Sequence, residues 1–117
     1  MKKRRKFSDL TVIQRVCRYI ERGWTKSYLA VDKYDDVVPP GDRRACRWCI
    51  LGALEKAVGR SVTRSLQARR IGLLIHQEVV QEGFRDILAF NDSPQVTLQR
   101  VQLLLYRCSA RIKGQQS

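Results

Sequence analysis

Cys46 and Cys49 stand three residues apart, the C-x-x-C spacing that metal sites and redox sites share. A four-thiolate zinc site would need Cys17 and Cys108 to converge on them from two other helices. Cys49, His76 and Asn91 or Asp92 are also the residue types of a thiol hydrolase: nucleophile, base and the group that orients the base. His76 is the only histidine, so any such mechanism must use it. Against both, the segment around Cys49 reads as the middle of an apolar helix, with no glycine-rich oxyanion loop beside it. Asp32, Asp35 and Asp36 could suggest a divalent cation, but the glycine and terminal glutamate of an EF-hand loop are missing, and a solvated loop is the plainer reading. No phosphate-cradling glycine loop or dinucleotide fingerprint is present. The expectation is no catalytic residue, no metal ligand and no cofactor. Without an export signal, the four cysteines are expected to be reduced.

The stronger chemical signal is charge. Lys and Arg total 23 against 11 acidic residues, a net charge of +12 on 117 residues. Such an excess sets up a field that attracts polyanions. Four groups carry it in the helices and before them: Lys2, Lys3, Arg4, Arg5 and Lys6; Arg15, Arg18 and Arg22; Arg60, Arg64, Arg69 and Arg70; and Arg100, Arg107 and Arg111. Arginine dominates the helical groups, and its planar fork suits phosphate or carboxylate better than a lysine point charge does. The bland counterpart is a solvated basic shell that keeps the protein soluble.

Elements must position these residues. Residues 1–7 read as a mobile basic arm, because consecutive like charges repel and bury nothing. Ser8 caps a first helix over 9–22, with Leu10, Ile13, Val16, Cys17 and Ile20 at helical spacing and Gly23 as its stop. Residues 24–42 are irregular, anchored by Trp24, Tyr28, Leu29 and Tyr34. The segment from Arg43 to Val58 is apolar almost all round and reads as a helix buried at the centre of the domain. A third helix starts at Ser61 or Thr63 and runs to Gln81. A short one over 84–90 turns Phe84, Ile87, Leu88 and Phe90 inward, and Asn91-Asp-Ser-Pro94 is a turn. Thr97 caps the last helix, 98–112, and residues 114–117 fray. The expected fold is all-α: one domain over 8–113, four to five helices around the central 43–58 helix.

A helix-turn-helix reader would need the break at 58–61 to be a tight turn and the following helix to expose base-reading side chains. Leu73, Leu74 and Ile75 in that helix argue against it. The apolar runs are too short to cross a bilayer, and the N-terminus lacks the apolar stretch of a signal peptide. A soluble protein of a bacterial cytoplasm, without membrane contact, is expected.

Ala45-x-x-Trp48-Cys49-x-x-Gly52-Ala53-Leu54, with Gly23-Trp24 and Asp32 before it and Asn91-Asp92 and Thr97 after it, resembles a domain-of-unknown-function family of bacteriophages, prophages and actinobacteria. The likeness spans roughly residues 23–105. It implies a phage or mobile-element source and carries no activity. Three functions follow as expectations: a non-enzymatic basic protein docking on nucleic acid or a nucleoprotein, an anti-defence (anti-CRISPR-like) inhibitor acting on an acidic protein surface, or the thiol hydrolase above.

Overall fold

The computed structural model describes residues 7–116; the run Lys2–Lys6 and most of the proposed arm lie outside them. Among the described residues the elements are α1 (Asp9–Arg22), β1 (Ala30–Val31), β2 (Arg47–Trp48), α2 (Ile50–Val58), a 3-10 turn (Val62–Arg64), α3 (Leu66–Gln81), α4 (Ile87–Asp92) and α5 (Leu98–Gln116). The all-α expectation holds, with one two-stranded antiparallel ribbon pairing Ala30 with Trp48 and Val31 with Arg47.

Each helix starts where a side chain can take an orphan amide. Ser8 accepts from the Thr11 amide at 3.1 Å, Ser65 from Ala68 at 3.1 Å, Asp86 from Ala89 at 2.8 Å and Thr97 from Arg100 at 3.3 Å. α1 packs against both α2 and α5, and α3 closes against α5 and α2. Val12, Ile13, Val16 and Ile20 of α1 meet Ile50, Ala53 and Leu54 of α2 and Leu104 and Leu105 of α5 in one buried cluster.

The central helix is shorter than its apolar pattern implies. It begins at Ile50, not near Arg43, and Cys49 is its N-cap in extended conformation rather than a mid-helix residue. Long-range hydrogen bonds draw the preceding residues out of helix: Cys46 N–H donates to Val31, Trp48 to Gly23 and Cys49 to Leu29. Ala45, Trp48 and Cys49 continue the helical spacing of α2, so local periodicity could not separate a short strand and cap from an earlier helix start. The centre of the bundle is accordingly shared between α1 and α2.

Three further boundaries move. The chain makes a 3-10 turn after Ser61 before α3 starts at Leu66, so seven residues separate α2 from α3 and the tight helix-turn-helix turn is absent. The short helix lies at 87–92, which leaves Leu88 exposed and puts Asn91 and Asp92 in helix instead of a turn. α5 continues past Gly114 to Gln116. No helix among the described residues is long and apolar enough to cross a membrane.

Candidate functional site

A groove of about 640 Å³ lies between the start of α1, the end of α2 and the turn leading into α3. Arg15, Lys56, Arg60 and Arg64 line it, and no carboxylate does. Its apolar wall includes Val12, Ala57, Val58 and Leu66, the last 74% exposed. Gly59 makes the convergence possible. It ends α2 in the left-handed conformation at φ 82°, folding the chain so that Arg60 and Arg64 return toward Lys56.

Phe7 also lines the groove. The Arg15 guanidinium lies 3.9 Å from the centre of its ring, a cation–π stack, and Phe7 remains 43% exposed. Gln67, itself buried, donates from Nε2 to the Phe7 carbonyl at 2.6 Å and to Asp9 at 3.0 Å, fixing the start of α1 on α3. Arg15, Lys56, Arg60 and Arg64 form no ion pair among the described residues; Arg15 lies on the Phe7 ring, and the Lys56 ammonium lies 5.8 Å from the centre of the Tyr19 ring.

The other arginines named from sequence divide differently. Arg18 and Arg22 follow Arg15 along one face of α1, are exposed, and do not line the groove. Arg69 donates to the carbonyls of Val62 and Thr63 and so holds the 3-10 turn that carries Arg64. Arg70 forks onto Asp9 with two 2.8 Å contacts. Arg100, Arg107 and Arg111 are turned onto α3. Arg100 and Arg107 pair with Glu82, and Arg107 and Arg111 with the buried Glu78. Arg107 and then Arg100 hold the Glu82 carboxyl below its ordinary range. This trio ties α3 to α5, so it offers far less free charge than its alignment on the helix suggests. Sequence reasoning missed Lys56 and Phe7; one was masked by an apolar helix and the other was counted with the arm.

The residues of the Trp-Cys motif build a second constellation, and it is closed. Asn91 is fully buried, and its Oδ1 accepts from Trp24 Nε1 at 2.9 Å and from the Ile50 amide at 3.1 Å. Its Nδ2 donates to the Thr25 carbonyl at 3.1 Å and to Asp92 at 2.9 Å. Asp92 also takes the amide of Ser27, which sits at φ 76°, and Lys26 donates to the carbonyls of Ser93 and Val96. Trp48 donates to the Pro40 carbonyl at 3.1 Å and stacks on Tyr19. A β-carbon on Gly23 would fall 2.2 Å from the Cys46 carbonyl oxygen, and one on Gly52 1.8 Å from that of Leu29. Asp32 is buried and accepts the amides of Tyr34 and Asp36, so it shapes its loop.

The thiols are separated and subdued. Cys49 Sγ accepts the Gly52 amide at 3.3 Å, and burial pushes its pKa up, opposite to what a thiolate nucleophile needs. His76 lies on α3 beside Val80, Gln81 and Arg111, away from the α2 start where Cys49 and Asn91 sit. Among the described residues no group of three or more His, Cys, Asp or Glu could hold a metal ion. Burial raises Cys17 to about 11 and Cys108 to about 12, whereas Cys46 is exposed. An aromatic disulfide reagent at mildly alkaline pH should therefore label Cys46 at once, the half-buried Cys17 more slowly, and Cys49 and Cys108 only on unfolding. Prompt labelling of Cys49 would contradict this burial.

A family model described as a family of unknown function, DUF6197, matches residues 6–111. No curated protein and no solved structure matches the chain.

Proposed function

We propose that this chain, which belongs to the DUF6197 family, is a small non-enzymatic binding protein that docks on nucleic acid or a nucleoprotein through the groove between α1, α2 and α3. One observation carries the reading: four cations converge on a concavity with no carboxylate in its wall, while other arginines are consumed by internal pairing. A polyanion would restore the balance there. The residues before Phe7 add a run of five consecutive basic side chains at that end of the chain. A phage or mobile-element source, with action in the bacterial cytoplasm, fits a compact binding module of this size.

Salt dependence tests it. Affinity for a labelled oligonucleotide should fall steeply with rising salt. Replacing Arg60 and Arg64 together by Ala should weaken binding about tenfold and flatten the log–log salt slope by roughly one to two units. A charge-matched double variant, Arg22→Ala with Arg43→Ala, removes exposed arginines outside the groove and should change little. No binding to DNA or RNA even at low ionic strength would sink the reading.

A second reading, an anti-defence inhibitor acting by protein contact, draws on a different surface. Tyr28, Leu29, Tyr34 and Val37 are all exposed within the one segment that wraps the bundle. Tyrosines of this kind are enriched at protein interfaces. Capture of one dominant host protein from nuclease-treated lysate, abolished by Tyr34→Ala, would favour it over the groove.

A further inference from the structure

We infer that the groove accepts an unpaired nucleic-acid strand rather than a duplex, with a base seated against Phe7 and the apolar wall and the phosphates met by the cations around it. The inference rests on the nucleic-acid reading and narrows it to a substrate class.

Shape is the first argument. A duplex turns its phosphates outward and stacks its bases inside, so a protein reads it with a projecting helix or ribbon that enters a groove of the DNA. Here the protein supplies the concavity. α3, the helix that follows the groove turn, exposes Leu66, Leu73 and Val80, and its Arg69 and Arg70 are engaged internally. Duplex docking would leave the apolar wall at Val58 and Leu66 facing phosphate or water.

Composition is the second. An apolar floor beside a ring of cations is the pattern of single-strand binding, where base faces stack on aromatic side chains and the backbone tracks positive charge. Phe7 has the required posture. One face lies against Arg15, its carbonyl is pinned by Gln67, and the rest of the ring is open to the groove. A base laid on it would extend an existing stack of guanidinium and ring rather than order a loose side chain. Arg15, Lys56, Arg60 and Arg64 line the same groove as Phe7 and would meet the sugar–phosphate chain there.

The test uses the full chain at low ionic strength with four labelled probes: an oligothymidylate, a duplex and a phosphodiester strand without bases, all of equal length, and an acidic polypeptide. The oligothymidylate should bind at least about tenfold more tightly than any of the others. Phe7→Ala should cost about tenfold on oligothymidylate and leave the baseless strand unchanged, while Phe7→Trp retains binding. Because Phe7 is a partly exposed residue outside the helices, unchanged melting of both variants is expected. Duplex binding as tight as single-strand binding overturns the inference. If that binding still depends on Arg60 and Arg64, the polyanion reading survives it. Equal losses on the two single strands also overturn it, as does an acidic polypeptide that binds as tightly as oligothymidylate. Silence from every probe overturns inference and parent reading together.

Discussion

Asn91→Leu should take away much of this protein's stability. The leucine keeps the branched shape and removes the polar partner of three groups, the Trp24 indole, the Ile50 amide and the Thr25 carbonyl, while Asp92 is exposed and keeps the Ser27 amide. A buried donor or acceptor left without a partner costs about 1–3 kcal/mol. With the Ile50 amide fully buried and Trp24 and Thr25 half-buried, the total is about 3 kcal/mol. Domains of this size hold only about 5–15 kcal/mol in all. Asn91→Asp should fare little better, since it keeps the acceptor but loses both donors and sets a second carboxylate beside Asp92. Urea unfolding followed by circular dichroism measures both. A loss below about 1 kcal/mol for the leucine variant would mean that the amide is not what holds the start of α2.

Gly52→Ala should be comparably damaging, against the usual helix preference for alanine. In an ordinary helical site that exchange gains about 1 kcal/mol. Here the new methyl would sit 1.8 Å from the Leu29 carbonyl oxygen and 2.7 Å from its carbon, which are backbone atoms and not a flexible side chain. The loop must move, and the hydrogen bond from the Cys49 amide to Leu29 breaks with it. We expect a loss of about 3 kcal/mol or more, above the common range for added methylenes because backbone is displaced. Gly72→Ala is the matched control. Its methyl would meet only Leu54 Cδ2 at 3.7 Å, an ordinary contact, and the variant should be stabilised by up to about 1 kcal/mol. Thermal melts of the pair should shift in opposite directions. A Gly52→Ala protein melting at or above the parent temperature would refute the close approach.

Amphipathic pattern was enough wherever one helical face met the core. Ser8 with the Leu10–Ile20 stripe locates α1, and Thr97 with Val101, Leu104, Leu105 and Cys108 locates α5. It was not enough where a partner distant in sequence decides. Cys46–Cys49 is drawn into pairing by Gly23, Leu29 and Val31, which no local period encodes. Asn91 looked like a turn residue because its amide is polar, and only the arrival of Trp24 and Ile50 explains its burial.

The site was legible in composition more than in position. Arg15, Arg60 and Arg64 stood out as basic residues, but their convergence depends on Gly59 turning the chain back. The alignment of Arg100, Arg107 and Arg111 was legible too, yet Glu78 and Glu82 lie far upstream and turn that face into a clamp. Net charge announces a basic protein. It does not say which cations remain free.

The Asn91 amide also imposes an order of events on the growing chain. Its partners Thr25 and Ile50 precede it by 66 and 41 residues. While a ribosome has yet to release residue 91, the first two helices can coil, but the α2 start and the Trp24 indole have nothing to bond. Contacts of such long sequence separation form late and slow the search for the native state. The emerging N-terminal half therefore carries its positive charge before it has a closed core. Its exposure to anionic neighbours begins during synthesis, and completing the chain closes the core while leaving the groove cations without ion pairs among the described residues.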